Sequence, residues 1–167
     1  METNTGNPNV QIIRQSITSS YTELKHLFEQ RLLPLPEQIL YTTLVEGEWT
    51  LMESLAHIIE FMPYWGDEIA KLVARPGQNF GRIKEDTGRI RAIEVHKHDS
   101  LETAYNALTR SYIYLDEVLG TLKDSDLTLK GRHSKFGEQT LAWFIKDFVT
   151  DHLTNHIEQL NKCLQAV

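Results

Sequence analysis

The pattern of apolar and polar positions predicts four helices and no sheet. In four segments, apolar residues recur every three or four positions, which places them on one face of a helix. These segments are residues 8–33, 50–75, 99–122 and 138–165. No stretch alternates apolar and polar residues over a useful length, so no strand is predicted. For a chain of 167 residues, this pattern favours an all-α four-helix bundle that forms a single domain over residues 1–167.

Local signals mark where some of these helices begin or bend. Thr50 stands three residues before Glu53, the spacing of a capping box, in which each side chain binds the other residue's backbone amide. Asp99 and Glu102 have the same spacing and predict the start of the third helix. Pro63 lies inside the second helix and should bend it, because proline removes a backbone hydrogen bond.

The connection between the second and third helices is unusually long. Residues 76–98 show no clean apolar period and contain three glycines. Connections of this length in a compact domain are more often functional or partly helical than structureless. An up-down-down-up order of helices, with one long crossover between helices 2 and 3, is therefore as plausible as simple up-down alternation.

Charge and composition narrow the classes of function. The chain carries 17 Lys and Arg against 23 Asp and Glu, a net charge of −6, which disfavours nucleic acid because that binding depends on clustered cations. A single cysteine, Cys163, excludes an intramolecular disulfide and a cysteine-based zinc cluster. No apolar run is long enough to span a bilayer, and the polar start lacks a signal-peptide core. We expect a cytoplasmic protein without a membrane or nucleic-acid partner.

Two histidines on the fourth predicted helix are the first candidates for chemistry. His152 and His156 are four residues apart, so they lie one turn above each other on the same face and can chelate one metal ion. They continue the apolar row of that helix into the bundle interior. The alternative is a pair of core histidines satisfied by hydrogen bonds. A metal explains the pair better, because adjacent buried rings each need partners and repel each other when charged.

His57 on the second helix is the best candidate for a third ligand, because it stands at the shoulder of the buried stripe and can face the fourth helix. Three neutral imidazoles leave a coordination position open, as in catalytic sites, and they suit zinc, nickel or iron. A zinc-peptidase motif is excluded because Leu153, not Glu, follows His152. Solvent exposure is expected for the other four histidines, which are His26, His96, His98 and His133.

These motifs resemble those of the DinB-like superfamily. The resemblance rests on Trp49-Thr50-x-x-Glu53-x-x-x-His57, on His152-x-x-x-His156 and on their separation, and it spans nearly the whole chain. It implies an up-down-down-up four-helix bundle with one divalent metal ion held by His57, His152 and His156. It also implies a homodimer and chemistry on groups attached to low-molecular-weight thiols, as in the bacillithiol transferase branch. The maleylpyruvate isomerase branch has a carboxylate ligand that this sequence does not match.

Three hypotheses about function follow. The first is a metal-dependent thiol S-transferase, in which the metal activates a low-molecular-weight thiol for attack on an electrophile. The second is a metal-dependent hydrolase that uses an activated water on an amide or ester. The third is a non-enzymatic bundle that binds a metal or a small molecule.

Several residues beside the histidines are candidates for these reactions, although an ordinary structural role explains each of them as well. Glu60 is a candidate base or a partner of a metal ligand, and Asp151 is a weaker one. The candidates for binding a small-molecule substrate are aromatic side chains that would wall a pocket, cations that would hold a carboxylate, and one loop histidine: Tyr64, Trp65, Arg89, Arg91, Arg132, Lys135 and His133.

Overall fold

The computed structural model describes residues 9–167 and shows an all-α bundle with one small hairpin. The helices are α1 (Val10–Leu27), α2 (Glu37–Leu40), α3 (Leu51–Ala74), α4 (Thr87–His96), α5 (Leu101–Gly120), α6 (Leu141–Ile145) and α7 (Asp151–Leu164). The strands are β1 (Lys130–His133) and β2 (Gly137–Thr140), and a 3₁₀ turn covers Asp124–Thr128. The π-helical turn Phe28–Leu32 extends α1, and another, Lys146–Thr150, joins α6 to α7. The predicted start of the first helix at Pro8 lies outside the described residues.

Four long helical units form the bundle: α1, α3, α5 and the α6–α7 unit. Helices α3 and α5 run parallel, because residues further along α3 meet residues further along α5. The Ser111 hydroxyl donates to the Ile59 carbonyl, whereas the Tyr114 hydroxyl donates to Asp67. Two consecutive parallel helices need a connection that returns along the bundle, and residues 75–100 provide it.

The remaining contacts complete the order. Helix α5 runs antiparallel to α1, as the contacts Arg14–Asp116 and Tyr21–Thr109 show. Helix α7 and the turn before it run antiparallel to α3, as His57–His152 and Trp65–Phe148 show. Helix α7 runs parallel to α1, as Glu23–Asn161 and Arg31–Leu164 show. The predicted four-helix bundle in up-down-down-up order is therefore confirmed.

The start of α3 is as predicted, but that of α5 is not. The Thr50 hydroxyl accepts from the Glu53 amide at 3.1 Å, and the Glu53 carboxylate accepts from the Thr50 amide at 2.9 Å. Helix α5 instead begins after Ser100, whose hydroxyl accepts from the Thr103 amide at 3.1 Å. Asp99 does not cap the helix, because its carboxylate binds His96. Helix α3 continues without a break through Pro63, and the bend there stays a prediction.

The hairpin corrects the prediction that residues 130–140 form a loop and the first turn of the fourth helix. Strands β1 and β2 pair antiparallel, and Gly137 supplies the positive φ of 69° that the tight turn needs. The crossover also pairs with the hairpin: the Arg132 amide donates to the Gln78 carbonyl at 3.0 Å, and the Phe80 amide donates to the Arg132 carbonyl at 2.9 Å. The strands are four residues long, too short for an alternating pattern to be seen in the sequence.

A stack of aromatic rings fastens this crossover to the bundle. Phe80 stacks on Phe144 with ring centroids 4.3 Å apart, and Trp65 stacks on Phe148 at 4.7 Å. Trp65 also stacks on Phe80 at 5.6 Å. Phe80 and Phe144 are fully buried, and burying one such side chain contributes about 1.5–3 kcal/mol. The stack thus holds the crossover against α3 and the fourth helical unit, next to the histidines. Within the described residues, no helix has both the length and the apolar character needed to cross a membrane.

Candidate metal centre

Three histidines from two antiparallel helices converge near one end of the bundle. The Nε2 atom of His152 lies 3.0 Å from Nε2 of His57 and 3.2 Å from Nε2 of His156. The three rings can each offer one nitrogen within 4.8 Å of the others. His57 comes from the second turn of α3, just after its capping box, and the other two come from successive turns of α7. The i, i+4 spacing and the antiparallel crossing therefore bring these imidazoles to one point.

Aromatic walls bury this cluster. The Trp49 ring is parallel to the His156 ring at 6.1 Å between centroids, and its edge contacts His57 at 5.3 Å. Phe61, one turn after His57, lies 4.9 Å from the His152 ring. His57 is 2% exposed and His156 is 8% exposed. Water therefore reaches the cluster through the part of His152 that stays accessible.

Burial keeps the imidazoles neutral. It lowers the pKa of His57, the pKa of His152 to about 4 and the pKa of His156 to about 3. Neighbouring positive charge adds to this effect, because protonated His57 would disfavour a proton on His152 and on His156, and Arg89 disfavours a proton on all three rings. At neutral pH the rings are in the neutral form, in which one ring nitrogen has a free lone pair that can bind a metal ion.

The donor set fits a divalent metal ion. Two nitrogens bound to a tetrahedral zinc ion, each about 2.0–2.1 Å from it, lie roughly 3.3 Å apart, close to the observed Nε2 separations. Hydrogen bonds between the rings are a poorer explanation, because Nε2 of His152 lies within hydrogen-bonding distance of two other nitrogens, whereas one imidazole nitrogen has either one proton to donate or one lone pair to accept with. Imidazole nitrogens are suitable ligands for zinc, nickel and iron.

A carboxylate stands behind His57, on the side of the ring away from the cluster. The Glu60 carboxylate lies 3.7 Å from His57 Nδ1 and 2.6 Å from the Arg82 guanidinium. Burial alone would raise the pKa of Glu60, but the interactions with His57 and Arg82 outweigh it and hold that pKa below its ordinary value. Arg82 is fixed in turn by Asp86 at 3.4 Å and by the Tyr64 ring, whose centroid lies 3.8 Å away.

Two clefts open on either side of the cluster. The larger one, of about 400 Å³, has an aromatic wall and charged rim and is lined by His57, Phe61, Trp65, Arg82, Ile83, Lys84, Arg89, Asp147, Phe148, Asp151, His152 and Asn155. The smaller one, of about 290 Å³, is lined by Gly47, Glu48, Trp49, Ser54, Arg89, His152, His156, Gln159 and Cys163. His152 and Arg89 line both clefts.

Comparison with known proteins agrees with this architecture. The sequence profile of the DinB superfamily matches residues 20–160. The chain belongs to the DinB superfamily. No curated protein matches the chain in sequence.

Three solved structures resemble the chain in fold over most of its length. One of them is YfiT from Bacillus subtilis, which is described as a probable metal-dependent hydrolase with an unusual four-helix bundle topology. It is 13% identical in sequence, with a TM-score of 0.77, and the match covers 99% of this chain and 91% of the YfiT chain. A protein from Streptococcus pneumoniae shares 11% identity with a TM-score of 0.70 over 97% and 93% of the two chains. The colibactin self-resistance protein ClbS, solved with double-stranded DNA, shares 15% identity with a TM-score of 0.63 over 98% and 99%. At these identities the likeness concerns the fold.

Several other candidates from the sequence lie near the histidines of this DinB-superfamily chain. Trp65 and Asp151 line the larger cleft, and Arg89 lines both clefts. Tyr64 is half-buried under Arg82, and burial raises its pKa well above the ordinary range. Glu60 lies behind His57 rather than on the Nε2 side of the cluster.

The expectation that His133 is exposed is wrong. His133 is 2% exposed, because β1 places it under the crossover. Its Nδ1 accepts from the Lys135 amide at 3.1 Å, and its Nε2 donates to the Arg82 carbonyl at 3.1 Å. The ring therefore supports the backbone that carries Arg82 and does not reach the clefts. Arg132 and Lys135 on the hairpin and Arg91 on α4 are exposed and line neither cleft.

Arg82 is the residue near the site that sequence reasoning missed. It is one of several charged residues in a segment without apolar period, and no local spacing distinguishes it from its neighbours. Only the fold brings it 2.6 Å from Glu60, which lies 22 residues earlier in the chain. The one available signal was Glu60 itself, a carboxylate one turn after a candidate metal ligand.

Proposed function

We propose that the chain is a divalent-metal-dependent enzyme acting on small molecules, with His57, His152 and His156 as the metal ligands. The observation that carries this proposal is the convergence of three neutral imidazoles between two open clefts, two of them buried and His152 partly exposed, with Nε2 atoms 3.0 and 3.2 Å apart. A divalent ion held there would act as a Lewis acid that lowers the pKa of a bound water or thiol.

The chain's own residues have separate tasks in this proposal. Glu60 and Arg82 orient His57, because a carboxylate near Nδ1 favours the tautomer that presents Nε2 to a metal. Trp49 and Phe61 exclude water from the inner side of the cluster. Glu60 is a positioning residue here and not a base, because Arg82 occupies its carboxylate and its face is turned away from the clefts.

The first reaction class is transfer of a thiol to an electrophile. The specific observation in its favour is the pair of clefts that meet at His152, which give a thiol and a second substrate separate approaches to the cluster. In this reaction the thiol loses its proton to solvent, its sulfur forms a bond to carbon of the electrophile, and the leaving group departs with its electron pair. Low-molecular-weight thiols such as bacillithiol or glutathione suit clefts of this size.

The second reaction class is hydrolysis of an amide or ester. It is supported by the likeness in fold to YfiT, which is described as a probable metal-dependent hydrolase. The same three ligands would serve this reaction, with water in place of the thiol.

Two measurements test the proposal. Inductively coupled plasma mass spectrometry on untagged protein should find close to one zinc, nickel or iron per chain, and little in a His152→Ala/His156→Ala variant. Mass spectrometry of products then separates the reactions: a thiol adduct with the electrophile supports transfer, and a cleaved substrate without thiol supports hydrolysis. Metal binding without turnover of either kind would leave a non-enzymatic metal-binding bundle, and absence of metal uptake would overturn the proposal.

A further inference from the structure

Arg89 occupies a central place among the residues around the histidines. Its side chain lines both clefts together with His152, and its guanidinium carbon lies 5.3 Å above the centroid of the Trp49 ring, the ring that stacks on His156. The N-cap of α4 fixes its backbone, because the Asp86 carboxylate accepts from the Arg89 amide at 2.9 Å. The side chain therefore reaches the point at which the two clefts meet.

Among the residues that the structure describes, Arg89 is the partly buried arginine that has no acidic partner. Arg14 pairs with Asp116 at 2.8 Å, and Arg82 pairs with Glu60 at 2.6 Å. Within residues 9–167, Arg89 makes no salt bridge, and its one side-chain hydrogen bond runs from Nη1 to the Lys84 carbonyl at 2.9 Å. Burial and the nearby positive charge of Arg82 lower its pKa, and the more distant carboxylates of Glu60, Glu85 and Asp86 offset only part of that effect.

The free donors of Arg89 have the geometry of an anion site. Nη1 donates to the Lys84 carbonyl, whereas the edge formed by Nε and Nη2 has no hydrogen-bond partner in the described part of the chain. This edge is the fork that binds the two oxygens of a carboxylate in parallel. A partly buried guanidinium is less hydrated than an exposed one, so an anion displaces less water when it binds there.

We propose that Arg89 binds a carboxylate group of the substrate while the reacting end of that substrate faces His152. This inference rests on the proposed function, because it assigns the substrate of the same site to carboxylate-bearing small molecules. Arg82 and Lys84 also line the larger cleft, but they pair with Glu60 and Glu85. Among the described residues of this cleft, the cation without an acidic partner is therefore Arg89, and it shares the cleft with Asp147 and with Asp151, which pairs with Lys146. A singly charged carboxylate therefore fits better than a doubly charged phosphate, which these aspartates would repel more strongly.

A pair of thiol probes tests the assignment in the cobalt-loaded protein. 3-Mercaptopropionate carries a thiol and a carboxylate, and its methyl ester lacks the charge; binding of either is followed by sulfur-to-cobalt charge-transfer absorption. Wild type should bind the acid at least about tenfold more tightly than the ester, and Arg89→Gln should abolish this preference. Arg110→Gln, which alters an exposed arginine outside both clefts, should keep it. An equal preference in wild type and Arg89→Gln would overturn the proposal.

Two further arms separate failure of this inference from failure of the proposed function. In metal-free protein, the Arg89 Nε–H resonance, assigned by its absence in Arg89→Gln, should shift on titration with propionate. A shift of this resonance in a protein that takes up no cobalt would support the anion site and reject the metal site. Cobalt uptake without a shift of the resonance would support the metal site and reject the anion site. Titration of the metal-free protein decides the anion: if inorganic phosphate shifts the Arg89 Nε–H resonance at a lower concentration than propionate does, the carboxylate assignment is wrong.

Discussion

The Arg82 guanidinium lies 2.6 Å from the Glu60 carboxylate, which lies behind the ring of His57. This ion pair connects the crossover to α3 at the position of a proposed metal ligand. The Arg82 side chain is 10% exposed and that of Glu60 is 15% exposed, so both charges are largely withdrawn from water and depend on each other. Removing either partner leaves a buried charge behind and loosens the orientation of His57.

Glu60→Gln should weaken zinc binding by roughly 10–100-fold, the usual cost of removing a carboxylate that supports a metal-bound histidine from behind. Competition with a chromophoric zinc chelator measures this affinity. Glu94→Gln, which changes an exposed carboxylate on α4, is the matched control and should bind zinc like wild type. Equal zinc affinity in Glu60→Gln and Glu94→Gln would show that Glu60 does not support the site.

Removal of metal should lower the thermal stability of wild type. A ligand present at 100 times its dissociation constant stabilises the folded state by about 2.7 kcal/mol, which corresponds to roughly 5–10 °C in Tm for a domain of this size. Differential scanning calorimetry of zinc-loaded protein, with and without EDTA, measures the change. The His152→Ala/His156→Ala variant should show the same Tm in both conditions. A Tm of wild type that EDTA leaves unchanged would count against a bound metal.

Gly81→Ala should destabilise the fold through contacts beside the site. Gly81 has a φ of +79°, and an added Cβ would come within 2.9 Å of the Trp65 ring and 3.1 Å of the His133 ring. Strain at positive φ costs about 1–2 kcal/mol, and the overlap adds about 1–3 kcal/mol. Gly77→Ala provides the control, because Gly77 has a φ of +87° and open space around its Cβ position.

Urea denaturation of both variants measures the difference. Gly77→Ala should show the cost of positive φ alone, and Gly81→Ala should lose more stability than that. Equal losses would mean that Trp65 and His133 move aside without cost and that the packing under the crossover is looser than the structure indicates.

The ion pair between Arg14 and Asp116 should make stability depend on pH. The hydrogen bond from Arg14 lowers the pKa of Asp116 in the folded state. Its stabilisation is therefore present above the ordinary aspartate pKa of about 3.9 and is lost as the pH falls through the lower folded-state value. Because both side chains are partly exposed, at 41% and 26%, the effect at pH 7 should not exceed about 1 kcal/mol.

Urea denaturation of wild type and Asp116→Asn at pH 7 and near pH 3 measures this contribution. Wild type should be the more stable protein at pH 7, and the gap should shrink at the lower pH. An Arg14→Gln/Asp116→Asn double variant shows whether the gap belongs to the pair. A gap that stays constant with pH would contradict the assignment.

The sequence predicted the residues of the bundle because helical periodicity is local. The apolar stripes of α1, α3, α5 and the fourth helical unit follow from spacings of three and four residues, and the Thr50–Glu53 box marked the start of α3. The i, i+4 spacing likewise put His152 and His156 on one face. Each of these features depends on residues within one or two turns of each other, so it can be recognised from the amino-acid sequence alone.

The hairpin, the burial of His133 and the capping by Ser100 were not predicted, because longer-range or competing contacts decide them. Strands of four residues are stabilised by backbone bonds to a crossover about 50 residues earlier in the chain. His133 is buried only because those bonds lay the crossover over it. Ser100 and Asp99 are both good caps, and the bond from His96 to Asp99 leaves the cap to Ser100.

The sequence by itself determined the four long helical units and the family, and it singled out the three histidines that the fold brings together; the short helices α2 and α4 were not predicted. The tertiary structure alone decided what surrounds them: the ion pair of Arg82 with Glu60, the aromatic stack that fastens the crossover, and the position of the Arg89 guanidinium between two clefts. The physical reason is how far apart in the sequence the contacting residues lie. A helix face repeats every few residues, whereas a charge or an aromatic ring in an irregular segment acquires its partners only when packing brings distant parts of the chain together.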